Sequence, residues 1–161
     1  MNYKKITVIW LVFWAGIIAG ACASHPEAFQ GRVVWVNDGD TIVVLCDGRR
    51  IKVRLFGIDA PEKDQPFGKA SLKAMIGMAK NKNVAVQKVD VDHYGRTVAW
   101  VTLADGRNLN YEMVRLGLAW HYAHYSRDRE LARLEKEARA AGRGLWRDPN
   151  PEAPWDHKHR K

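Results

Sequence analysis

Cysteine is nearly absent: the 161 residues contain two, Cys22 and Cys46. No disulfide framework can therefore hold the chain, and its stability must come from a packed core. Apolar runs long enough to span a bilayer are missing too. The one candidate, Ile6 to Ile18, has 13 residues, short of the roughly 20 that a spanning helix needs. Negative charge is outnumbered, with 18 acidic against 26 basic side chains and a net charge of +8. Internal repeats and long low-complexity segments are absent, so the length reads as one domain with a modest core.

The apolar run that is present follows a basic start, Met1-Asn2-Tyr3-Lys4-Lys5, and ends in the small residues Ala19-Gly20-Ala21-Cys22-Ala23. This is the pattern of an export signal over residues 1–22. Two processings fit. Ala19-Gly20-Ala21-Cys22 can be a lipoprotein box, which makes Cys22 the acylated first residue, although Ala19 replaces the usual large aliphatic residue. Alternatively a signal peptidase cuts after Ala21 or Ala23. An uncleaved anchor is the third reading, and the cysteine at this boundary favours the first. Loss of Lys4 and Lys5 lowers the net charge from +8 to +6. A basic exported domain suits a polyanionic partner, nucleic acid foremost. Cys46 lies in an apolar run and reads as a small buried side chain.

Residues 23–30 read as a linker, 31–155 as the folded domain and 156–161 as a basic, mobile tail. Strand-like runs occupy Arg32–Val36, Thr41–Cys46 and Arg50–Phe56, separated by the turn pairs Asp38-Gly39 and Asp47-Gly48. In the third run Ile51, Val53 and Leu55 alternate with Lys52 and Arg54, which places Arg54 on the face away from the core. The second run is apolar on both faces and is expected at the centre of a sheet. A helical pattern covers Phe67–Lys80, strands return at Val84–Val89 and Thr97–Leu103, and helices follow near Asn110–Leu116 and Asp128–Ala141, with Ser126 as a cap. Gly144-Leu145-Trp146 and Pro154-Trp155 read as pins for the C-terminal segment. Trp100 and Trp120 read as core. The predicted class is α+β, mainly β: a five-stranded Greek-key barrel of the OB type with about three flanking helices.

The chemistry concentrates in three segments: Asn37-Asp38-Gly39-Asp40-Thr41, Arg54-Leu55-Phe56-Gly57-Ile58-Asp59-Ala60-Pro61-Glu62 and Asp92-His93-Tyr94-Gly95-Arg96. Each is unremarkable alone, since aspartate–glycine turns and exposed glutamates are common. Together they supply what phosphodiester cleavage requires. Oxygen ligands hold a hard cation, a carboxylate activates water, and guanidinium forks neutralise phosphate. Two carboxylates about 4 Å apart repel by roughly 4 kcal/mol at an effective dielectric near 20, so a fold that joins Asp40 to Asp59 needs a cation or a proton between them.

These segments, in this order, resemble the staphylococcal nuclease (thermonuclease-like) family from about Gly31 to Trp155. The resemblance implies a nuclease that hydrolyses DNA and RNA, preferably single-stranded, to 3′-phosphate products. It implies Ca²⁺ on Asp40, Asp59 and the backbone carbonyl of Ala60, where the best-known member has threonine. Glu62 becomes the general base, with Pro61 fixing the backbone from which it leaves. Arg54 and Arg96 become phosphate ligands that bind harder as charge develops in the transition state. Tyr94 and Tyr125 become nucleotide contacts, and His93 stands where that member has a phosphate-contacting lysine. All three catalytic residues lie at strand ends or in turns, so replacing them is expected to spare the fold. A monomer is expected.

Two other readings compete with this one. His121-x-x-His124 and His157-x-His159 suggest zinc, but no cysteine or third histidine completes a tetrahedral set; these histidines read as solvent-facing or beside the nucleotide. A non-catalytic nucleic-acid-binding OB domain is the main alternative. It would be expected to lose Arg54, Glu62 or Arg96, and all three are present.

Overall fold

The computed structural model describes residues 27–160. The signal segment and Cys22 lie outside the described residues. Strands β1 (Ala28–Val36), β2 (Thr41–Cys46), β3 (Arg49–Leu55), β5 (Asn83–Val91) and β6 (Thr97–Leu103) close into a barrel in the order β1-β2-β3-β6-β5. All pairs are antiparallel except β3 with β6, where Val53 faces Thr97 and Leu55 faces Ala99. This is the expected OB-type barrel. A two-residue strand β4 (Ile58–Asp59) pairs with β7 (Trp120–His121) outside it.

Alternation dictates which faces meet. Val53 and Leu55 of β3 enter the core at 0% and 1% exposure while Arg54 between them points away. β2 is central, paired on both sides, and Ile42 and Val44 are fully buried. Each such aliphatic side chain stabilises the fold by about 1.5–3 kcal/mol. β1 starts at Ala28, inside the stretch read as linker, because Ala28 to Arg32 pair with β5 and complete the closure.

Helices α1 (Gly68–Ala79), α2 (Leu109–Arg115) and α3 (Arg129–Ala140) flank the barrel. Met75 and Ala79 of α1, Met113 and Val114 of α2, and Leu131 and Leu134 of α3 join the same core. The cap of α3 is Asp128, whose side chain accepts from the Leu131 N–H. Ser126, expected in that role, accepts instead from the Asp128 N–H at 3.2 Å. Asn110, fully buried, donates to the carbonyls of Phe56 and Ala99 and accepts from the Val101 N–H. It thereby fixes the exit of β3 against β6, since each buried group left unmet would cost about 1–3 kcal/mol.

The C-terminal segment is more structured than its sequence suggests. A 3₁₀ turn at Gly144–Arg147 buries Leu145 beside Trp120 and Ala153. Helix α4 (Pro154–His159) follows, starting with proline at its first position. The stretch read as a mobile tail is thus helical as far as His159.

Candidate active site

The turn between β1 and β2 brings Asp38 and Asp40 to the barrel rim. Its tightness depends on Gly39: a Cβ there would lie 1.9 Å from Ser71 Oγ and 2.8 Å from Ala60 Cβ. Asp40 is 5% exposed. Its Oδ2 accepts from the Ala60 N–H at 2.7 Å and its Oδ1 from the Thr41 hydroxyl at 3.0 Å. Asp59, 2% exposed, sits on β4, which β7 holds in place.

Arg54 joins these two carboxylates. Nη1 lies 3.1 Å from Asp40 Oδ2 and Nη2 lies 2.8 Å from Asp59 Oδ1. Nη1 also donates to the carbonyls of Ile58 at 2.9 Å and Leu55 at 3.2 Å. The expected convergence of Asp40 and Asp59 is therefore present, and the guanidinium expected on phosphate is chiefly engaged in holding them. Its Nε has no protein partner among the described residues. Burial, then the charge of Asp40, raises the Asp59 carboxyl above its ordinary value, against the pull of Arg54 and Lys158. Asp38 is pushed up to about 7 by burial and then by Asp40. The rim carries more negative charge than the protein neutralises.

Glu62 follows two residues after Ala60. Its N–H donates to Gln65 Oε1 at 3.1 Å, and buried Gln65 is itself tied to the Glu152 carbonyl at 2.8 Å. Gly68 packs on the same turn, where a Cβ would fall 1.7 Å from the Glu62 carbonyl oxygen. The backbone is thus clamped while the carboxylate stays 38% exposed. On the opposite wall, Arg96 Nε donates to Asp92 Oδ2 at 2.6 Å, and Asp92 Oδ1 accepts from the backbone N–H of Tyr94 and of Arg96. These bonds with Arg96 and Tyr94 overcome burial and hold the Asp92 carboxyl below its ordinary value. Both Nη groups of Arg96 remain without a protein partner among the described residues.

These groups line one cleft of about 690 Å³, together with His93, Tyr122, Tyr125 and Lys158. Tyr125 is exposed and meets Tyr122 edge to face, with ring centroids 4.8 Å apart. Tyr94 does not line the cleft. Its ring lies against His93 at 3.8 Å and beneath the Arg96 guanidinium at 5.3 Å.

Two further contributors escaped the sequence reading. Trp155 stacks on Tyr122 at 5.0 Å with the planes 6° apart. Lys158 Nζ lies 3.1 Å from both Asp59 Oδ1 and Glu62 Oε1. Burial alone would lower the Lys158 ammonium, yet the two carboxylates raise it above the ordinary lysine value. Nothing local marks either residue. His121, read as solvent-facing or nucleotide-adjacent, is instead 8% exposed, with Nε2 bonded to the Ser126 carbonyl at 2.9 Å. Its place on β7 turns it inward. Cys46, expected buried, is half-exposed at the end of β2, its thiol 3.7 Å from Asp47 Oδ2.

Among the described residues no three His, Cys, Asp or Glu side chains form a ready-made chelate. The donors that do converge are hard oxygens, the carboxylates of Asp40 and Asp59, and the Ala60 N–H ties the expected third ligand residue to Asp40. They suit a cation such as Ca²⁺ whose remaining positions go to water and phosphate. The uncompensated negative charge at the rim fits that group.

Residues 52–148 match the sequence model of the staphylococcal nuclease homologue family. Arg54, Asp59, Glu62 and Arg96 fall inside that region, Asp40 and Lys158 outside it. An uncharacterized endonuclease of Escherichia coli O157:H7 is 46% identical over 132 residues, covering 82% of this chain and 86% of that protein. One from Haemophilus influenzae is 41% identical over 150 residues, 92% and 81% of the two chains. A micrococcal nuclease of Shigella flexneri is 41% identical over 137 residues, 79% of each. By sequence, barrel and site, the chain belongs to the staphylococcal nuclease family.

Proposed function

We propose that this chain is a Ca²⁺-dependent nuclease that hydrolyses phosphodiester bonds of DNA and RNA, preferring single strands, and leaves 3′-phosphate ends. That it is a nuclease, a hydrolase of phosphodiesters, rests on its family. The metal-assisted chemistry rests on one observation: a single guanidinium holds two buried carboxylates in a cleft that also contains a partly exposed glutamate and an arginine with two unused Nη groups. The strand preference and the 3′-phosphate ends are what the family resemblance implies.

Asp40, Asp59 and the Ala60 carbonyl would hold the cation, which when bound supplies positive charge to the scissile phosphate. Asp38 supports Asp40 by accepting its N–H at 3.1 Å. Glu62 takes the proton of the attacking water at its carboxylate. Arg96, oriented through Nε by Asp92, offers both Nη groups to the phosphate as negative charge develops on its oxygens. Arg54 keeps the two aspartates together and has Nε left for a phosphate oxygen. Tyr125, exposed at the cleft, presents an aromatic ring on which an unpaired base can stack, and a base within a duplex is not available for this.

Cleavage of labelled DNA and RNA in EGTA and with added Ca²⁺ tests the reading. EGTA should abolish cleavage of both, and Ca²⁺ should restore it with 3′-phosphate products. Full activity in EGTA, or restoration by Zn²⁺ alone, would overturn the metal assignment. The location proposed is outside the cytoplasm, free or tethered through Cys22, on the basis of Lys4-Lys5 and the apolar run after them.

A further inference from the structure

We infer that Lys158 is a tethered counter-ion for the cation site, so that binding of the divalent metal is an exchange of cations: the metal enters as the ammonium leaves Asp59 and Glu62. The inference rests on the metal reading above and adds to it a residue beyond the matched family region, 99 positions along the chain from Asp59.

Lys158 Nζ lies 3.1 Å from Asp59 Oδ1, 3.4 Å from Asp59 Oδ2 and 3.1 Å from Glu62 Oε1. It therefore lies between an expected metal ligand and the expected base, the interval that the cation and its water must use. An ammonium donating to Glu62 also occupies a lone pair that would otherwise accept the proton of water. Charge favours exchange over simple addition. Asp40, Asp59 and Glu62 carry three negative charges and Arg54 one positive charge. A divalent cation balances those four groups, and an ammonium kept beside Asp59 would repel a cation bound to the same carboxylate.

The anchoring of α4 makes the exchange cheap and reversible. Trp155 is stacked on Tyr122, and Ala153 is buried against Trp120 and Leu145, so the helix stays in place. The Lys158 side chain is 47% exposed, and its flexible stem can move the ammonium into water without unfolding anything. The lysine then stands ready to return when the metal leaves, which gives buried Asp59 back a second cationic partner beside Arg54.

The test is calorimetric titration of Ca²⁺ alone, without nucleic acid, into the purified wild-type chain and into Lys158→Met, Lys158→Arg and Asp59→Asn. Lys158→Met should bind Ca²⁺ about fivefold more tightly, the upper end for giving up a half-exposed ion pair. Lys158→Arg, which keeps the charge, should stay within about twofold of wild type on the same argument. Asp59→Asn should abolish the signal. If Asp59→Asn abolishes binding while Lys158→Met binds no more tightly than wild type, the exchange is wrong and the metal site stands. Binding that survives Asp59→Asn, or no binding by wild type or Lys158→Met, removes the metal reading and the exchange with it.

Discussion

Replacing Arg54 with methionine should cost this protein stability as well as activity. The Arg54 side chain is 13% exposed, and it pairs with Asp40 and Asp59 carboxylates that are 8% and 2% exposed. Removing one partner of a buried ion pair costs about 3–5 kcal/mol, because the remaining charges have lost their compensation. The Ile58 carbonyl also loses its 2.9 Å donor. Lys158 already reaches Asp59 and water reaches the rim, so the lower end of the range applies, about 3 kcal/mol. For a domain of this size that corresponds to a fall in Tm of roughly 10 °C. The assay is thermal unfolding in EGTA followed by circular dichroism, with Arg96→Met as the control. Arg96 is 24% exposed and pairs with Asp92 and the exposed Tyr94 ring among the described residues, so its loss should lower stability by less than about 1 kcal/mol. Added Ca²⁺ should return part of the Arg54→Met loss by neutralising the same two carboxylates. A Tm for Arg54→Met within about 2 °C of wild type in EGTA would refute the reasoning. This prediction departs from the expectation that catalytic residues at strand ends or in turns can be replaced without disturbing the fold.

Arg96→Ala should lower kcat/KM by on the order of 10²–10³, the scale for losing one transition-state donor, with the circular dichroism spectrum unchanged. Mass spectrometry of the mature N-terminus should find a chain beginning at Cys22, acylated, or at a residue just after it; an intact Met1 would exclude export by this signal.

The barrel was legible because its strands carry their own instructions. β2 is apolar on both faces and had to be central, and the Asp38-Gly39 and Asp47-Gly48 turns set β1, β2 and β3 in sequence. Arg54 was placed correctly on the outer face by the alternation of Val53 and Leu55. What that alternation could not convey is that Asp40 and Asp59 would fold over the guanidinium and bury it. The β4–β7 pairing was illegible because two residues per strand carry no period. His121 is buried opposite Ile58 in that pairing. The cap of α3 moved from Ser126 to Asp128, a choice between two good capping residues that depends on where the helix begins. The C-terminal helix follows a stretch rich in proline, aspartate and asparagine and has six residues. It is held by the contact of Trp155 with Tyr122 and by the burial of Ala153, both tertiary. Its lysine reaches the active site through that packing alone, and a basic tail is all its local sequence conveys.

The proposed catalysis turns on Glu62 as the group that takes a proton from water, and Glu62→Gln tests it with the least disturbance elsewhere. The side chain is 38% exposed, and the turn is clamped through backbone atoms that the substitution leaves intact. Turnover of a fluorescent single-stranded DNA should be measured with saturating Ca²⁺, in a preparation shown free of contaminating nuclease, together with the Tm. The account predicts a fall of about a hundredfold or more in kcat at an unchanged fold, since an amide cannot accept the proton. Near-normal cleavage by Glu62→Gln would contradict it.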